Sequence, residues 1–201
     1  MPEDFVYLAS SSPRRRELLR QIGVAFRLLE VDVDESVRPG EDPRSYVLRL
    51  AQAKAEAGWP RRGTGPGAPV LAADTAVVLD GAILGKPQNR SDGETMLLRL
   101  SGCTHQVLTA VALRHDGGVE SRISHSSVTF RRIGAAEARR YWDTGEPQDK
   151  AGAYGVQGLG GVFVADLHGS YSGVMGLPLF ETAELLDAAG VPRWTMDSRP
   201  T

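Results

Sequence analysis

Lysine and cysteine are the scarce residues of this 201-residue chain: three lysines stand against 20 arginines, and there is one cysteine. A single thiol, Cys103, excludes an internal disulfide and a metal knuckle built on cysteines. Apolar runs are short. None approaches the roughly 20 residues that a membrane helix needs, and the N-terminus lacks the basic start and apolar core of a signal peptide. A cytoplasmic protein away from membranes is therefore expected. Net charge is only −2, which argues against binding a nucleic-acid polymer or an anionic membrane. His105, His115, His125 and His168 are scattered through strand or turn contexts and form no paired-histidine zinc motif. There is no Walker phosphate loop, no dinucleotide glycine fingerprint, no Gly-x-Ser-x-Gly elbow and no internal repeat.

What is present is an ordinary globular composition, 41% hydrophobic and 24% charged, on a length that suits one domain with a sizeable core. Arginine fills the generic surface role, so the three lysines, Lys54, Lys86 and Lys150, stand out. Each offers a compact point charge where arginine offers a planar fork.

The central stretch runs from Val70 to Pro87. An apolar run is interrupted by Asp74 and Thr75, resumes to Leu79, turns at Asp80-Gly81 and returns through Ala82 to Leu84 before Gly85-Lys86-Pro87 breaks it. The pattern predicts a hairpin. It would bring Lys86 back towards Asp74, an acid and a cation side by side, suited to taking a proton from water next to a phosphate. A solvated edge hairpin would read the same way.

Upstream, Phe5 to Ala9 reads as a buried strand. Ser12 as N-cap, Pro13 in the first turn and Gly23 at the end bound a helix. Arg14, Arg15 and Arg16 in its first turn oppose the helix dipole. With Ser10 and Ser12 and free backbone N–H groups they would form a phosphate or triphosphate site. Val24 to Val33 reads as a second strand ending in Asp32-Val-Asp-Glu35, carboxylates able to hold a divalent cation. Asp42-Pro43 opens a helix with Tyr46, Val47, Leu50 and Ala51 on its apolar stripe and Lys54 one turn on. Pro60 to Pro69 reads as a surface loop.

Downstream, Ser91-Asp-Gly-Glu94 matches a capping box for a helix to Leu100, closed by Gly102. Gln106 to Leu113 and Val119 to Phe130 read as a long hairpin at the centre of the sheet, and Ala135 to Thr144 as a helix. Glu146 to Gly158 is too rich in glycine for a helix and too polar for a buried strand. Glycine lets backbone approach a ligand. Asp149, Lys150 and Gln157 add an acceptor, a cation and an amide able to pair with a base edge. Val162 to Ala165 reads as a strand, Ser170 to Pro178 as turns, Pro178 to Ala189 as a helix, and 197–201 as a frayed tail.

Ser10-Ser-Ser-Pro-Arg-Arg15, Asp34-Glu35, Lys54 between alanines, Ala73-Asp-Thr75, Gly85-Lys-Pro87, Asp149 to Gln157 and Val174 to Pro178 together resemble the Maf family of nucleotide pyrophosphatases, also labelled septum-formation inhibitors. The match runs from residue 6 to about residue 186. The resemblance implies one α/β domain with a mixed central sheet, flanking helices and two lobes around a cleft, like the inosine triphosphate pyrophosphatases (Maf/Ham1). It implies hydrolysis of a nucleoside triphosphate to monophosphate and pyrophosphate with a divalent cation (Mg, Mn or Co). By resemblance Asp74 is the general base, Glu35 helps hold the metal with Asp74, and Ser10, Ser12, Arg15, Lys54 and Lys86 grip the phosphates. Arg14, Thr75 and Gln157 match the branch acting on dTTP and UTP, with modified uridine or cytidine nucleotides within its reach; the branch acting on 7-methyl-GTP carries other residue types there and is the alternative within the family. A homodimer is a family habit. A non-catalytic, nucleotide-binding regulator of septation is the alternative from another class.

Overall fold

The computed structural model describes residues 4–62 and 67–194. Its frame is one seven-stranded mixed sheet in the order β2-β1-β3-β5-β6-β7, with β4 paired to β3. The strands are β1 (Phe5–Leu8), β2 (Ala25–Leu28), β3 (Val70–Leu79), β4 (Ala82–Leu84), β5 (Thr104–His115), β6 (Gly118–Phe130) and β7 (Val164–His168). β1 runs parallel to β2 and β3, and all other pairings are antiparallel. The helices are α1 (Pro13–Gln21), α2 (Pro43–Gly58), α3 (Arg90–Leu100), α4 (Ala135–Asp143), α5 (Tyr171–Met175) and α6 (Leu179–Ala188).

β3 is buried along nearly its whole length because helices cover both faces of the sheet. Successive side chains alternate between those faces. Val70, Ala72, Ala76 and Val78 pack against Val47, Ala51 and Ala55 of α2. On the other face, Leu71 and Ala73 meet Leu18 and Leu19 of α1 and Leu185 and Leu186 of α6. Further along that face, Val77 and Leu79 join Met96, Leu97 and Leu100 of α3 with Phe130 and Phe163. Two apolar clusters thus share one face, and the strand positions between them are polar. Thr75 on β3, Thr109 on β5 and Ser124 on β6 lie in register across the sheet. α5 lies over this seam, where Thr109 donates to the Gly173 carbonyl at 2.7 Å.

Several local readings shift. The second strand is only Ala25–Leu28, not 24–33, because it is the sheet edge; beyond Leu29, whose N–H bonds the Leu8 carbonyl, the chain is irregular up to α2. α3 is capped by Asn89, whose side chain accepts from the Asp92 N–H at 3.0 Å, rather than by Ser91. A 3-10 turn at Leu159–Phe163 pushes the last strand to Val164–His168. Ser170 to Pro178 contains α5, capped by the Ser170 hydroxyl accepting from the Gly173 N–H at 2.9 Å. The 197–201 tail and residues 63–66 of the expected surface loop lie outside the described residues. No helix among the described residues is long and apolar enough to cross a membrane.

Gly152 lets the glycine-rich segment lie against β3. Its φ is +68°, and a Cβ there would sit 2.9 Å from Val77 Cγ1. Gly152→Ala should cost about 1–3 kcal/mol through overpacking and left-handed backbone strain, read as a lower denaturation midpoint with unchanged m value.

His105 is buried among Phe130 and Tyr154, with Nε2 2.9 Å from the Tyr154 hydroxyl. Burial pushes its pKa down to about 4. The unfolded chain therefore takes up a proton between pH 6.5 and 4 that the folded protein refuses, so stability is full above pH 6.5 and falls as pH drops through that window. His105→Gln should flatten stability-against-pH in that window by up to one proton, about 1.4 kcal/mol per pH unit, measured by urea unfolding at pH 5 and 7.

Candidate active site

β3 has different neighbours at the two ends of one edge. β1 pairs with it at Val70 and Leu71, and β4 at Val77 to Leu79, while β5 holds the opposite edge throughout. Positions 72 to 76 face no strand on that first edge among the described residues. A cleft of about 650 Å3 opens there, a size common for small-molecule sites. It lies beyond the carboxyl end of β1, where open α/β sheets bind ligands. The turn from Ala9 to Arg15, the Glu35 loop, α2, β3, the segment after β4 and the glycine-rich stretch all line it.

Asp74 points to the α2 face. It is 7% exposed, and its Oδ1 accepts from Lys54 Nζ at 2.7 Å. The same Nζ lies 2.5 Å from Glu35 Oε1, and Lys86 Nζ lies 3.8 Å from Glu35 Oε2. Contrary to the sequence expectation, the hairpin does not set Lys86 beside Asp74: the neighbouring cation is Lys54. The turn itself forms, with positive φ at Asp80 and Gly81, but β4 ends at Leu84, so the chain diverges from β3 before Lys86 can come opposite it. Lys86 reaches the cleft through Glu35 instead.

The two acids are tuned apart. Burial raises the pKa of Asp74 above its ordinary value, partly opposed by Lys54 and Arg15. Burial also pushes Glu35 upward, but the hydrogen bond from Lys54 and the charges of Lys54, Lys86 and Arg15 prevail and hold it low. One carboxylate is thus readier to take a proton while the other stays ionised, the pattern of paired acids with separate roles. α2 pins the Glu35 loop: the Tyr46 hydroxyl donates to the Glu35 carbonyl and Arg49 Nη2 to the Ser36 carbonyl, each at 3.0 Å. Of the acidic run 32–35, Asp32 and Glu35 line the cleft. Asp34 turns back to accept from the Ser36 N–H at 2.9 Å.

Thr75 points to the opposite face, where Arg15 organises the turn. Arg15 donates to the Gly176 carbonyl at 2.7 Å, to Ser10 Oγ at 3.1 Å and to Thr75 Oγ1 at 3.4 Å. The expected three-arginine anion site is therefore divided. Arg15 fastens β1, β3 and α5 together with its guanidinium in the cleft, and Arg14 pairs with Asp149 at 3.6 Å. Arg16 does not line the cleft. Ser12 begins α1 by position but makes no side-chain cap; its side of the turn lines the cleft with Ser10. Lys150 Nζ donates to Asp149 and to the Glu146 carbonyl, both at 2.6 Å, and so braces its own segment. Gln157 lines the cleft and is exposed.

Sequence reasoning missed three supports. Tyr46 read as an apolar helix position and Thr109 as scaffold. Glu146 read as loop, yet its carboxylate accepts from the Tyr141 hydroxyl at 2.6 Å, the Leu159 N–H at 2.8 Å and the Gly160 N–H at 2.9 Å, while the Tyr141 hydroxyl accepts from the Gly155 N–H at 3.2 Å, so the chain is held on both sides of Gln157.

Among the described residues, no group of three or more His, Cys, Asp or Glu could hold a metal alone. Asp74 and Glu35 nonetheless converge on one cation position, where Lys54 now stands. Two carboxylates completed by phosphate oxygens are the donor set Mg2+ commonly takes, so the residues present fit a cation that arrives with a phosphorylated ligand.

A model for "Maf-like protein" matches residues 5–189. A protein of Saccharophagus degradans named dTTP/UTP pyrophosphatase is 57% identical over 190 residues, covering 94% of this chain and 90% of that one. One of the same name from Bordetella avium is 54% identical over 192 residues, covering 92% and 96%. Among solved structures, a dITP/XTP pyrophosphatase of Mycobacterium abscessus aligns at 18% identity and a TM-score of 0.43, covering 91% and 93%. With its motifs gathered in one cleft and its sequence matched nearly end to end, the chain belongs to the Maf-like protein family.

Proposed function

We propose that this chain is a nucleoside triphosphate pyrophosphatase acting on dTTP and UTP in the cytoplasm. The observation that carries the reading is the buried, upshifted Asp74 beside Lys54, Glu35 and Lys86 in an open cleft, in a chain more than half identical to relatives named for that activity. A binding-only regulator of septation has no use for a carboxylate whose burial raises its proton affinity next to a cluster of cations.

In the proposed reaction, Asp74 takes a proton from water as the water oxygen bonds to the α-phosphorus. The bond from that phosphorus to the bridging oxygen of the β-phosphate breaks, and pyrophosphate leaves. Lys54 donates to Asp74 Oδ1 and so orients the carboxylate before the ligand arrives; when the phosphates and their cation enter, Lys54 would turn to a phosphate oxygen, with Asp74 Oδ2 meeting the water. Lys86, 63% exposed at the cleft, and Lys54 offset the charge growing on the leaving group. Arg15, Ser10 and Ser12 steady the phosphates at the start of α1. Asp74 and Glu35 would hold a divalent cation (Mg, Mn or Co), which supplies charge neutralisation on the phosphate oxygens when bound. Arg14, Thr75 and Gln157 face the nucleoside, with Asp149 and Lys150 bracing that wall.

Asp74→Asn should lower kcat for UTP by about 10^2- to 10^4-fold with nucleotide binding retained, measured by pyrophosphate release and by calorimetric titration. Unchanged turnover would remove Asp74 as the base. Because burial raises the Asp74 pKa, the protonated, inactive form persists above the ordinary carboxylate range. The acid limb of kcat/KM against pH should therefore fall off at a midpoint above 3.8, and the limb should vanish in Asp74→Asn.

A further inference from the structure

The polar seam across the sheet fixes the direction of one proton. Thr109 is 1% exposed, and its hydroxyl lies 2.7 Å from the Gly173 carbonyl. A carbonyl only accepts, so Thr109 is the donor in that bond and its one proton is committed. Thr75 Oγ1 lies 3.0 Å from Thr109 Oγ1. With the Thr109 proton spent on Gly173, Thr75 must donate across that gap. Arg15 Nη2, at 3.4 Å, can only donate to Thr75 as well. The Thr75 hydroxyl therefore spends its proton inside the sheet, and what it has left to offer a ligand in the cleft it lines is acceptor capacity alone.

An ionised phosphate oxygen has no proton to give and gains nothing from that lone pair. The ligand group that meets Thr75 must carry an N–H or O–H. On a pyrimidine, uracil and thymine carry N3–H, whereas cytosine presents a bare N3 that would face lone pair to lone pair. We propose that Thr109 is a positioning residue that sets Thr75 as an acceptor and so selects uracil or thymine over cytosine. This rests on the pyrimidine reading of the cleft proposed above.

Thr109→Val keeps the β-branched shape at a strand position and removes the hydroxyl. The Gly173 carbonyl keeps its bond from the Gly176 N–H at 2.9 Å, so α5 stays anchored. In this variant the Thr75 proton is free to rotate into the cleft and meet the cytosine N3. The measurement is kcat/KM for UTP and CTP with wild type, Thr109→Val and Thr109→Ser, alongside melting curves. The expected result is a UTP-to-CTP ratio that falls about tenfold or more in Thr109→Val, as mispaired polar groups cost, and recovers in Thr109→Ser, which restores the hydroxyl. A ratio unchanged in folded Thr109→Val, or equal losses for both nucleotides, would overturn the proposal and leave Thr109 a packing residue. A wild type that hydrolyses neither nucleotide would sink the activity reading itself, and the proposal with it.

Discussion

Along one edge of β3 the hydrogen-bonding partner changes from β1 to β4, and the backbone between them belongs to the cleft. Strand geometry then does the sorting. Adjacent residues on a strand project to opposite faces, so Asp74 and Thr75 present two different chemistries at a single gap. One face receives Lys54 from α2 and the Glu35 loop; the other receives Arg15 from α1 and the peptide groups of α5. A strand paired continuously along both edges would leave no such gap for a ligand. The small side chains at Ala72, Ala73 and Ala76 allow helices to approach on both faces while the strand stays buried.

Charge burial sets the second constraint. Isolated ionised groups are costly away from water, and here they are brought together in mutual contact. Lys54 touches both carboxylates, Lys86 adds a more exposed cation, and Arg15 completes the group. The arrangement leaves Asp74 raised and Glu35 lowered. In the proposed reaction a triphosphate and its cation would offer Lys54 a phosphate partner in place of a carboxylate, and that exchange would link ligand binding to the readiness of Asp74.

Much of this was legible from residue pattern. The Asp80-Gly81 turn, the Pro13 start of α1, the long β5–β6 hairpin and the glycine-rich wall around Gly152 each carry local chemistry that allows few alternatives. The pairing of Asp74 with Lys54 rather than Lys86 was not legible. It depends on where β4 ends relative to β3 and on the packing of α2, both of which are long-range. Tyr46, Thr109 and Glu146 were hidden for the same reason: each supports the site through a backbone or hydroxyl partner distant in sequence, and none belongs to a short motif. Asn89 displaced Ser91 as the cap of α3 because two good capping residues stood two positions apart, and local propensity cannot choose between them.

The central claim is that water attacks the α-phosphorus under the control of Asp74. Hydrolysis of UTP in 18O-labelled water, followed by mass analysis of the products, tests it most directly. The account predicts one labelled oxygen in UMP and none in the pyrophosphate released with it. Label in pyrophosphate would place the attack on the β-phosphorus, and release of labelled orthophosphate with UDP would place it on the γ-phosphorus. Either result would contradict the assignment of this cleft.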